Sequence, residues 1–508
     1  MSTNAPKKNI VPQPRVKLDD VNLFGNDAAD LEQPELFLSY AVTRPELDDL
    51  LNPDHSIQVT RAYKGEGKSA LLRLAANKLA PAGVDELVIL ALGPDHSPVV
   101  DGVDSDLWTR EWKKSLLKLV ANEIGSRLGV AFTDDAISLV EEAESNGFKQ
   151  RSFVSAIVDR LKSKTVPIER QRIPVADHER LVRRYLSGRP LIWIIVDDID
   201  QNFANTDRWR VKLGAFFTAC RQIVGVIPEL RIRTAVRPNV WAIIKREFES
   251  LSHIEQYMHD LSWSQDQFRA LLAARARSYL QRTQQWNAIK SSVPFEKSAA
   301  ELFLISLIFD SPMPWGGGDR TRPPHTVLWT LTAHRPRWLV ELCKEAGKTA
   351  QKRGAKKINL DDIKAQLDVF GRKRIEDTEA EFKSQCPQIS ELLGAFSRQL
   401  DIYSTDELLR TIHNRIIQAV NPVLVGHVGK ASDLDVAHFL FQIGFIAGRR
   451  DYGENQGYDH VLYRENPTLL RSRTNVDDGL RWEINPVFRE VLNLRAVSDK
   501  RNTRSGRR

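Results

Sequence analysis

The sequence predicts an α/β fold, with a parallel β-sheet flanked by helices, then a helical region and a small C-terminal domain of helices and strands. Three observations support this prediction. A glycine-rich segment, residues 62–69, lies between an extended apolar run and a helical pattern. Residues 191–196 form an unbroken apolar run that ends in carboxylates. Residues 230–236 form another extended run, which ends in an arginine followed by a proline.

The glycine-rich segment has the residue spacing of a phosphate-binding loop, or P-loop. Backbone N–H groups can curl around a phosphate only where side chains do not block the approach, which explains Gly65 and Gly67. A helix predicted over residues 69–79 adds its positive N-terminal end. Lys68 then reaches the β- and γ-phosphate oxygens, and the Ser69 hydroxyl is placed to ligate Mg²⁺. We therefore predict a site for ATP and Mg²⁺.

One position of the loop departs from the usual pattern. Ala62 stands where a first glycine is expected, which is acceptable only if the backbone there does not need a positive φ. The assignment therefore depends on the strand before the loop and the helix after it. The predicted nucleotide-binding residues of this segment are Ala62, Lys64, Gly65, Glu66, Gly67, Lys68, Ser69 and Ala70.

The apolar run that ends in carboxylates is typical of a buried parallel strand. In P-loop ATPases the first carboxylate after this strand holds the Mg²⁺ water, and a second one can polarise the attacking water. Asp197 and Asp198 occupy these positions and are predicted to be catalytic, with Asp197 and Ser69 at the metal. A core strand followed by an acidic turn is the alternative, and the neighbouring P-loop makes it the weaker one.

The third extended run brings Arg237 to the end of a strand. In an additional-strand (ASCE) P-loop NTPase core, the strand that follows the acidic one inserts beside the P-loop strand, and its carboxyl end faces the γ-phosphate. Arg237 is therefore a candidate γ-phosphate sensor, with Thr234 behind it. A solvated arginine at a strand end is the alternative.

These three elements resemble those of bacterial P-loop ATPases of the STAND and AAA+ (ORC-like) kind, a group that includes ATPases encoded among anti-phage defence genes. Residues 261–268 and 334–340, each leading into a helix, match as well. In such ATPases a Pro-Arg pair at the start of a lid helix brings an arginine over the nucleotide, and Arg337 is the matching residue. The resemblance implies homo-oligomers, effector or sensor protein partners, and a role in defence.

Helical patterns and breakers divide the chain into successive segments. Lid helices are predicted over residues 266–284, 298–309, 337–353 and 360–369, with a loop at residues 312–320. The predicted segments are a disordered basic N-terminus (1–20), a helical arm (21–55), the ATPase core (56–262), a helical lid (263–385), a winged-helix-like domain (386–495) and a disordered basic tail (496–508).

The winged-helix-like domain raises the question of DNA binding. Helices are predicted over residues 406–419 and 434–445, strands near 445–449, 460–463 and 480–486, and a last helix after them. The helix that would enter a major groove carries no Lys or Arg, whereas base edges and phosphates need such donors. Only Arg449 and Arg450 are obvious phosphate contacts nearby, so we favour an interaction or regulatory domain over a DNA reader.

Composition gives little support to nucleic acid and none to a membrane. The chain has 508 residues and a net charge of +7, but this charge lies in the two termini and leaves the body near neutral. The three cysteines are far apart, which indicates neither a disulfide framework nor a zinc site and fits the cytoplasm. No signal peptide or membrane helix is expected.

Three functions remain open at this point. The first is an ATP-hydrolysing molecular switch, the ATPase component of a multi-protein system. The second is a DNA-stimulated motor or loader that uses the winged helix and the basic tails. The third is a nucleotide-binding scaffold with little hydrolysis, in which Asp198 is merely structural.

Overall fold

The structure is a computed structural model that describes residues 14–80, 87–127, 178–315, 319–425, 427, 429–452, 457–472 and 477–497. They form two compact units. The core unit is Thr43–Ser262, and the second unit combines the described residues of Met1–Val42 and Trp263–Arg508. The division falls inside the predicted arm, since helix α1 (Pro34–Tyr40) belongs to the second unit and helix α2 (Pro45–Leu51) to the core unit. A helix predicted over residues 153–161 lies outside the described residues, as does most of both basic termini.

The core unit alternates strands and helices. After α2 these are β1 (Ile57–Arg61), α3 (Lys68–Leu79), β2 (Leu87–Leu92), α4 (Ser105–Arg127), α5 (His178–Leu186), β3 (Ile192–Asp197), α6 (Asp207–Val226), β4 (Leu230–Val236), α7 (Pro238–Glu247), a 3-10 helix (Glu249–Tyr257) and β5 (Met258–Asp260). The strands form one parallel sheet in the order β2-β3-β4-β1-β5. The prediction that β4 inserts beside the loop strand is confirmed, because β4 lies between β3 and β1.

A run of aromatic rings packs three helices of the core unit against one another. Phe216 and Phe217 of α6 contact each other edge-to-face with ring centroids 5.2 Å apart. Phe216 also contacts Trp112 of α4 at 5.1 Å, and Phe217 contacts Trp241 of α7 at 5.1 Å. All four rings are buried. Because α6 joins β3 to β4, this packing fixes the two strands whose ends carry the predicted catalytic residues.

A buried arginine ties α2 to the centre of the sheet. Arg233 of β4 has no exposed surface, and its guanidinium stacks over Trp193 at 4.7 Å. Its Nε–H donates to Leu50 O at 2.6 Å, and its Nη2–H donates to Asn52 O at 2.7 Å. Burial lowers the pKa of Arg233 to about 9. The carbonyls at the end of α2 thus find donors inside the sheet, where water cannot supply them.

Replacing this arginine by an apolar residue should destabilise the core unit. Arg233→Met leaves two carbonyls at the end of α2 without donors, and we expect it to lower the free energy of unfolding by about 2–4 kcal/mol. Arg221→Met, at an exposed position of α6, is the matched control and should change it by less than about 0.5 kcal/mol. Urea unfolding followed by circular dichroism measures both. Equal stability of the two variants would contradict this role of Arg233.

The second unit is mainly helical and ends in a small sheet. After α1 its elements are α8 (Gln265–Arg282), α9 (Trp286–Ile289), α10 (Lys297–Ser306), β6 (Met313–Pro314), β7 (Thr321–Arg322), α11 (Pro324–Leu331), α12 (Pro336–Lys352), α13 (Leu360–Lys364), α14 (Leu367–Phe382), α15 (Ile389–Gly394), β8 (Ile402–Tyr403), α16 (Thr405–Ile412), α17 (Asp433–Gln442), β9 (Ile446–Asp451), β10 (Tyr458–Val461) and β11 (Arg481–Ile484). The last four strands form an antiparallel sheet in the order β10-β9-β11-β8.

Most predicted lid helices are confirmed, and one is wrong. The helices α8, α10 and α12 match the first three predictions. The single helix predicted over residues 360–369 is two helices, because the chain breaks where the Gln366 side chain donates to the Thr349 hydroxyl of α12 at 2.8 Å. The predicted loop at residues 312–320 includes the start of a short antiparallel pair, β6 with β7.

The C-terminal helices and strands are also close to prediction, apart from the last helix. α16 continues as a π-helical turn, His413–Ile417, which covers most of the helix predicted over residues 406–419. The final helix was predicted wrongly, since only a 3-10 turn, Pro486–Phe488, follows β11 within the described residues. The turns after Phe488 end at Asn493, which has a left-handed backbone with φ of 50°.

Candidate nucleotide-binding site

The glycine-rich loop leaves the end of β1 and enters α3 through two left-handed residues. Gly65 has φ of 84° and Gly67 has φ of 101°, and Gly67 is the N-cap of α3. Both positions favour glycine for this reason. Ala62 is buried and does not take a positive φ, and its N–H donates to Val236 O at 3.3 Å. The condition on which alanine was acceptable at this position is therefore met.

A carboxylate inside the loop braces its turn. Glu66 is only 2% exposed, and its Oε2 accepts a hydrogen bond from the Tyr63 N–H at 2.7 Å. The Glu66 N–H donates to Tyr63 O at 3.2 Å, so the two residues are joined in both directions. Lys64 between them is exposed. We infer that the Glu66 side chain shapes the loop, whereas the sequence placed this residue among the nucleotide contacts.

The start of α3 meets the end of β3. The Ser69 hydroxyl donates to the Asp197 carboxylate, and the buried Lys68 lies close enough to act on the same group. Burial raises the pKa of Asp197 to about 6, and the charge of Asp198 adds to the rise. The hydrogen bond from Ser69 and the charge of Lys68 oppose it. The fold thus joins three predicted site residues that lie far apart in the sequence.

This arrangement fits Mg²⁺. A hydroxyl and a carboxylate are hard oxygen donors, and Mg²⁺ is usually held by one or two carboxylates together with substrate phosphates and water. The charge of Asp198 adds to the rise that burial causes in the pKa of Asp197, and a divalent cation would relieve this repulsion. Among the described residues no group of three or more His, Cys, Asp and Glu could hold a metal by itself. The nucleotide would therefore have to complete the coordination shell.

Asp198 lies at the turn that follows β3. Its backbone is left-handed with φ of 54°, which is uncommon for a residue other than glycine but tolerated by aspartate. Its N–H donates to Asp197 Oδ1 at 2.8 Å, and its carbonyl accepts from the Gln201 N–H at 3.0 Å. The tight turn keeps this half-buried carboxylate beside Asp197. Strained backbone of this kind occurs often at functional sites.

A third carboxylate, Asp200, belongs to the same cluster, and sequence reasoning gave it no role. It is 2% exposed, and its Oδ2 accepts both the backbone N–H of Arg237 at 2.7 Å and the Arg237 Nε–H at 2.9 Å. Burial alone would raise the pKa of Asp200, but the charges of Lys68 and Arg237 and the hydrogen bonds from Arg237 hold it below its ordinary value. The sequence did hold a signal for this position, since Asp200 is a further carboxylate only three residues after Asp197.

Two further predicted residues, Thr234 and Arg337, have partners of their own. Thr234 donates to Val196 O at 2.8 Å and so joins β4 to β3. Arg337 belongs to the second unit, at the start of α12, where its Nε lies 3.9 Å from an Asp27 carboxylate oxygen. Pro336 stands at the first turn of that helix, as the sequence pattern predicted. The role of Arg337 at the nucleotide stays a prediction.

The strand order, the loop and the acidic strand end decide the fold. The core unit has the additional-strand P-loop NTPase fold. Its P-loop strand β1 has the inserted strand β4 on one side, and the acidic strand β3 follows beyond β4. Neither a protein-family model nor a curated protein matches the chain.

Three solved structures similar to this chain are of ORC proteins. The ORC2 protein of Aeropyrum pernix in its ADPNP-ADP complexes is 11% identical, with 89% of this chain and 93% of that chain covered and a TM-score of 0.40. Its ADP form is 11% identical, with 96% and 94% covered and a TM-score of 0.31. Drosophila ORC bound to DNA is 10% identical, with 91% and 93% covered and a TM-score of 0.27. TM-scores this low add no weight to the assignment.

Within the described ranges, no helix is both long enough and apolar enough to cross a bilayer.

Substitutions at two loop positions should differ in their effect on ATP affinity. Gly67→Ala forces a left-handed backbone on a residue with a Cβ, which costs about 1–2 kcal/mol and should weaken ATP binding about tenfold or more. Ala62→Gly, at a position with negative φ, should leave ATP affinity within about threefold of wild type. Titration with a fluorescent ATP analogue measures both. Equal losses in the two variants would show that the phosphate-binding geometry has been misassigned.

Proposed function

We propose that the chain binds Mg-ATP at the loop of residues 62–69 and hydrolyses it, working as a nucleotide-dependent switch. The observation that supports this most strongly is the hydrogen bond from Ser69 to Asp197 beside Lys68. A loop that cradles phosphate, a cation that reaches it and an oxygen pair for Mg²⁺ then lie at one edge of the sheet. Each group has a role in phosphoryl transfer that the others do not fill.

The roles follow from position. The loop N–H groups and the N-terminal end of α3 bind the β-phosphate, and Lys68 binds the β- and γ-oxygens. Ser69 and Asp197 hold Mg²⁺, which supplies neutralisation of the charge on the phosphates. Asp198 orients the attacking water and accepts its proton. Arg237, at the end of β4, contacts the γ-phosphate.

The wider role rests on the sequence resemblance. We propose that Arg337 reports the nucleotide state to the helices of the second unit, and that the chain forms homo-oligomers with effector or sensor proteins, in anti-phage or mobile-element defence. The four-stranded antiparallel sheet with α16 and α17 supports a winged-helix-like C-terminal domain.

The described contacts do not favour the DNA-stimulated alternative. Arg449, which the sequence offered as a phosphate contact, donates to the buried Glu483 at 3.0 Å and to Asp451 at 2.8 Å. Arg450 lies 3.7 Å from an Asp478 carboxylate oxygen. With Arg449 paired to two carboxylates and Arg450 near a third, these two arginines are poor phosphate contacts.

Two substitutions separate binding from hydrolysis. Lys68→Ala should abolish detectable ATP binding, because it removes the charge that reaches the phosphates, whereas Asp198→Asn should keep binding and lower turnover at least about a hundredfold. Lys78→Ala is the matched control, since it removes an exposed lysine from the other end of α3. Steady-state ATP hydrolysis with Mg²⁺, with and without DNA, measures turnover, and a fluorescent ATP analogue measures binding.

Each rival function has its own signature in these assays. Hydrolysis that rises on addition of DNA and is lost when both termini are removed would support the motor or loader. Binding without turnover in wild type would favour the scaffold. Full hydrolysis by Lys68→Ala would overturn the proposed site.

A further inference from the structure

Asp200 is buried at a point where a carboxylate needs a specific partner. A buried carboxylate is costly unless hydrogen bonds and opposite charges surround it. Arg237 supplies two donors to one oxygen of this carboxylate, and its Nη2 also donates to the Asp200 carbonyl. The side chains of Asp200 and Arg237 are 3% and 16% exposed, so water screens the pair weakly. It is therefore a rigid contact rather than a loose surface ion pair.

The two residues close neighbouring strands. Asp200 follows the turn at the end of β3, and Arg237 follows β4, whose residues Leu230–Thr234 pair with β3. Arg237 is also the N-cap of α7, and Pro238 ends the strand directly after it. The Arg237 N–H therefore points away from the sheet ladder and is satisfied by Asp200 instead. The left-handed turn at Asp198 brings Asp200 back to this position.

The contact restricts what the guanidinium can do. With Nε and Nη2 donating to Asp200, the plane of the guanidinium is fixed, while no contact among the described residues engages Nη1. An arginine held in this way presents one edge to a phosphate in a constant direction and loses little side-chain entropy on binding. An arginine without the tether would have to be ordered by the nucleotide itself.

We propose that Asp200 is a positioning residue that aims Arg237 at the γ-phosphate and so sets the preference of the site for ATP over ADP. This inference rests on the proposed function. Asp200 acts through Arg237 and does not touch the nucleotide. Its negative charge also offsets that of Lys68.

The proposal predicts different effects on the affinity for ADP and on the preference for ATP over ADP. Asp200→Asn removes one negative charge next to two cations, so it should bind ADP as tightly as wild type or more tightly. It should lower the preference for ATP over ADP, and kcat, by about tenfold, because the orientation of Arg237 is lost. Asp207→Asn is the matched control: Asp207 pairs with Arg210 on the exposed surface of α6, and its loss should change neither quantity.

A double-mutant cycle tests whether Asp200 acts through Arg237. The ratio of the Kd values for ADP and ATP is measured with fluorescent analogues for wild type, Asp200→Asn, Arg237→Ala and the double variant. We expect the double variant to match Arg237→Ala, which means that removing Asp200 has no further effect once the guanidinium is gone. Independent, additive effects on the ratio would overturn the proposal.

The outcomes distinguish this inference from the function on which it rests. If wild type binds neither nucleotide, the proposed function fails. If wild type binds and hydrolyses ATP but Asp200→Asn keeps the wild-type ratio, the inference alone fails. Should Asp200→Asn not fold, Arg237→Ala and Arg237→Lys decide, because both keep the Asp200 carboxylate. A wild-type ratio in these two variants would equally overturn the proposal.

Discussion

The site depends on one constraint, which is the burial of several charges where the carboxyl ends of parallel strands meet. Lys68 and Arg237 face the carboxylates Asp197, Asp198 and Asp200, so the cluster carries a surplus of negative charge. Burial, together with the charge of Asp198, raises the pKa of Asp197 to about 6, whereas the pKa of Asp200 is held low by its cationic neighbours. Two carboxylates three residues apart thus have opposite environments, one suited to a metal and one to an arginine.

The rest of the core unit keeps these charges in register. Strand β4 lies between β3 and β1, and it is tied to β3 by Thr234 and by the Asp200–Arg237 contact. Arg233 ties the same strand to the end of α2. The aromatic rings of α4 and α7 pack against α6, which connects β3 to β4. A shift of β4 would therefore disturb the sheet, the helices and the site together.

Sequence reasoning succeeded where local chemistry decides the structure. The glycine spacing predicted the loop and the start of α3, and the apolar run ending in Asp197 predicted β3. It failed where distant residues decide, as at Gln366, whose contact with Thr349 accompanies the break of a predicted helix. It also missed Asp200, and it did not show that Arg449 is paired to Glu483 of a neighbouring strand, because residue type alone does not reveal such a partner.

The most direct test is calorimetric titration of the full-length wild-type protein with ATP, with and without Mg²⁺. We predict saturable binding of one ATP per chain that tightens when Mg²⁺ is present, because Ser69 and Asp197 then hold the metal together with the phosphates. Absence of saturable binding in the presence of Mg²⁺, by a protein shown to be folded, would contradict the central claim that this cluster is a nucleotide site.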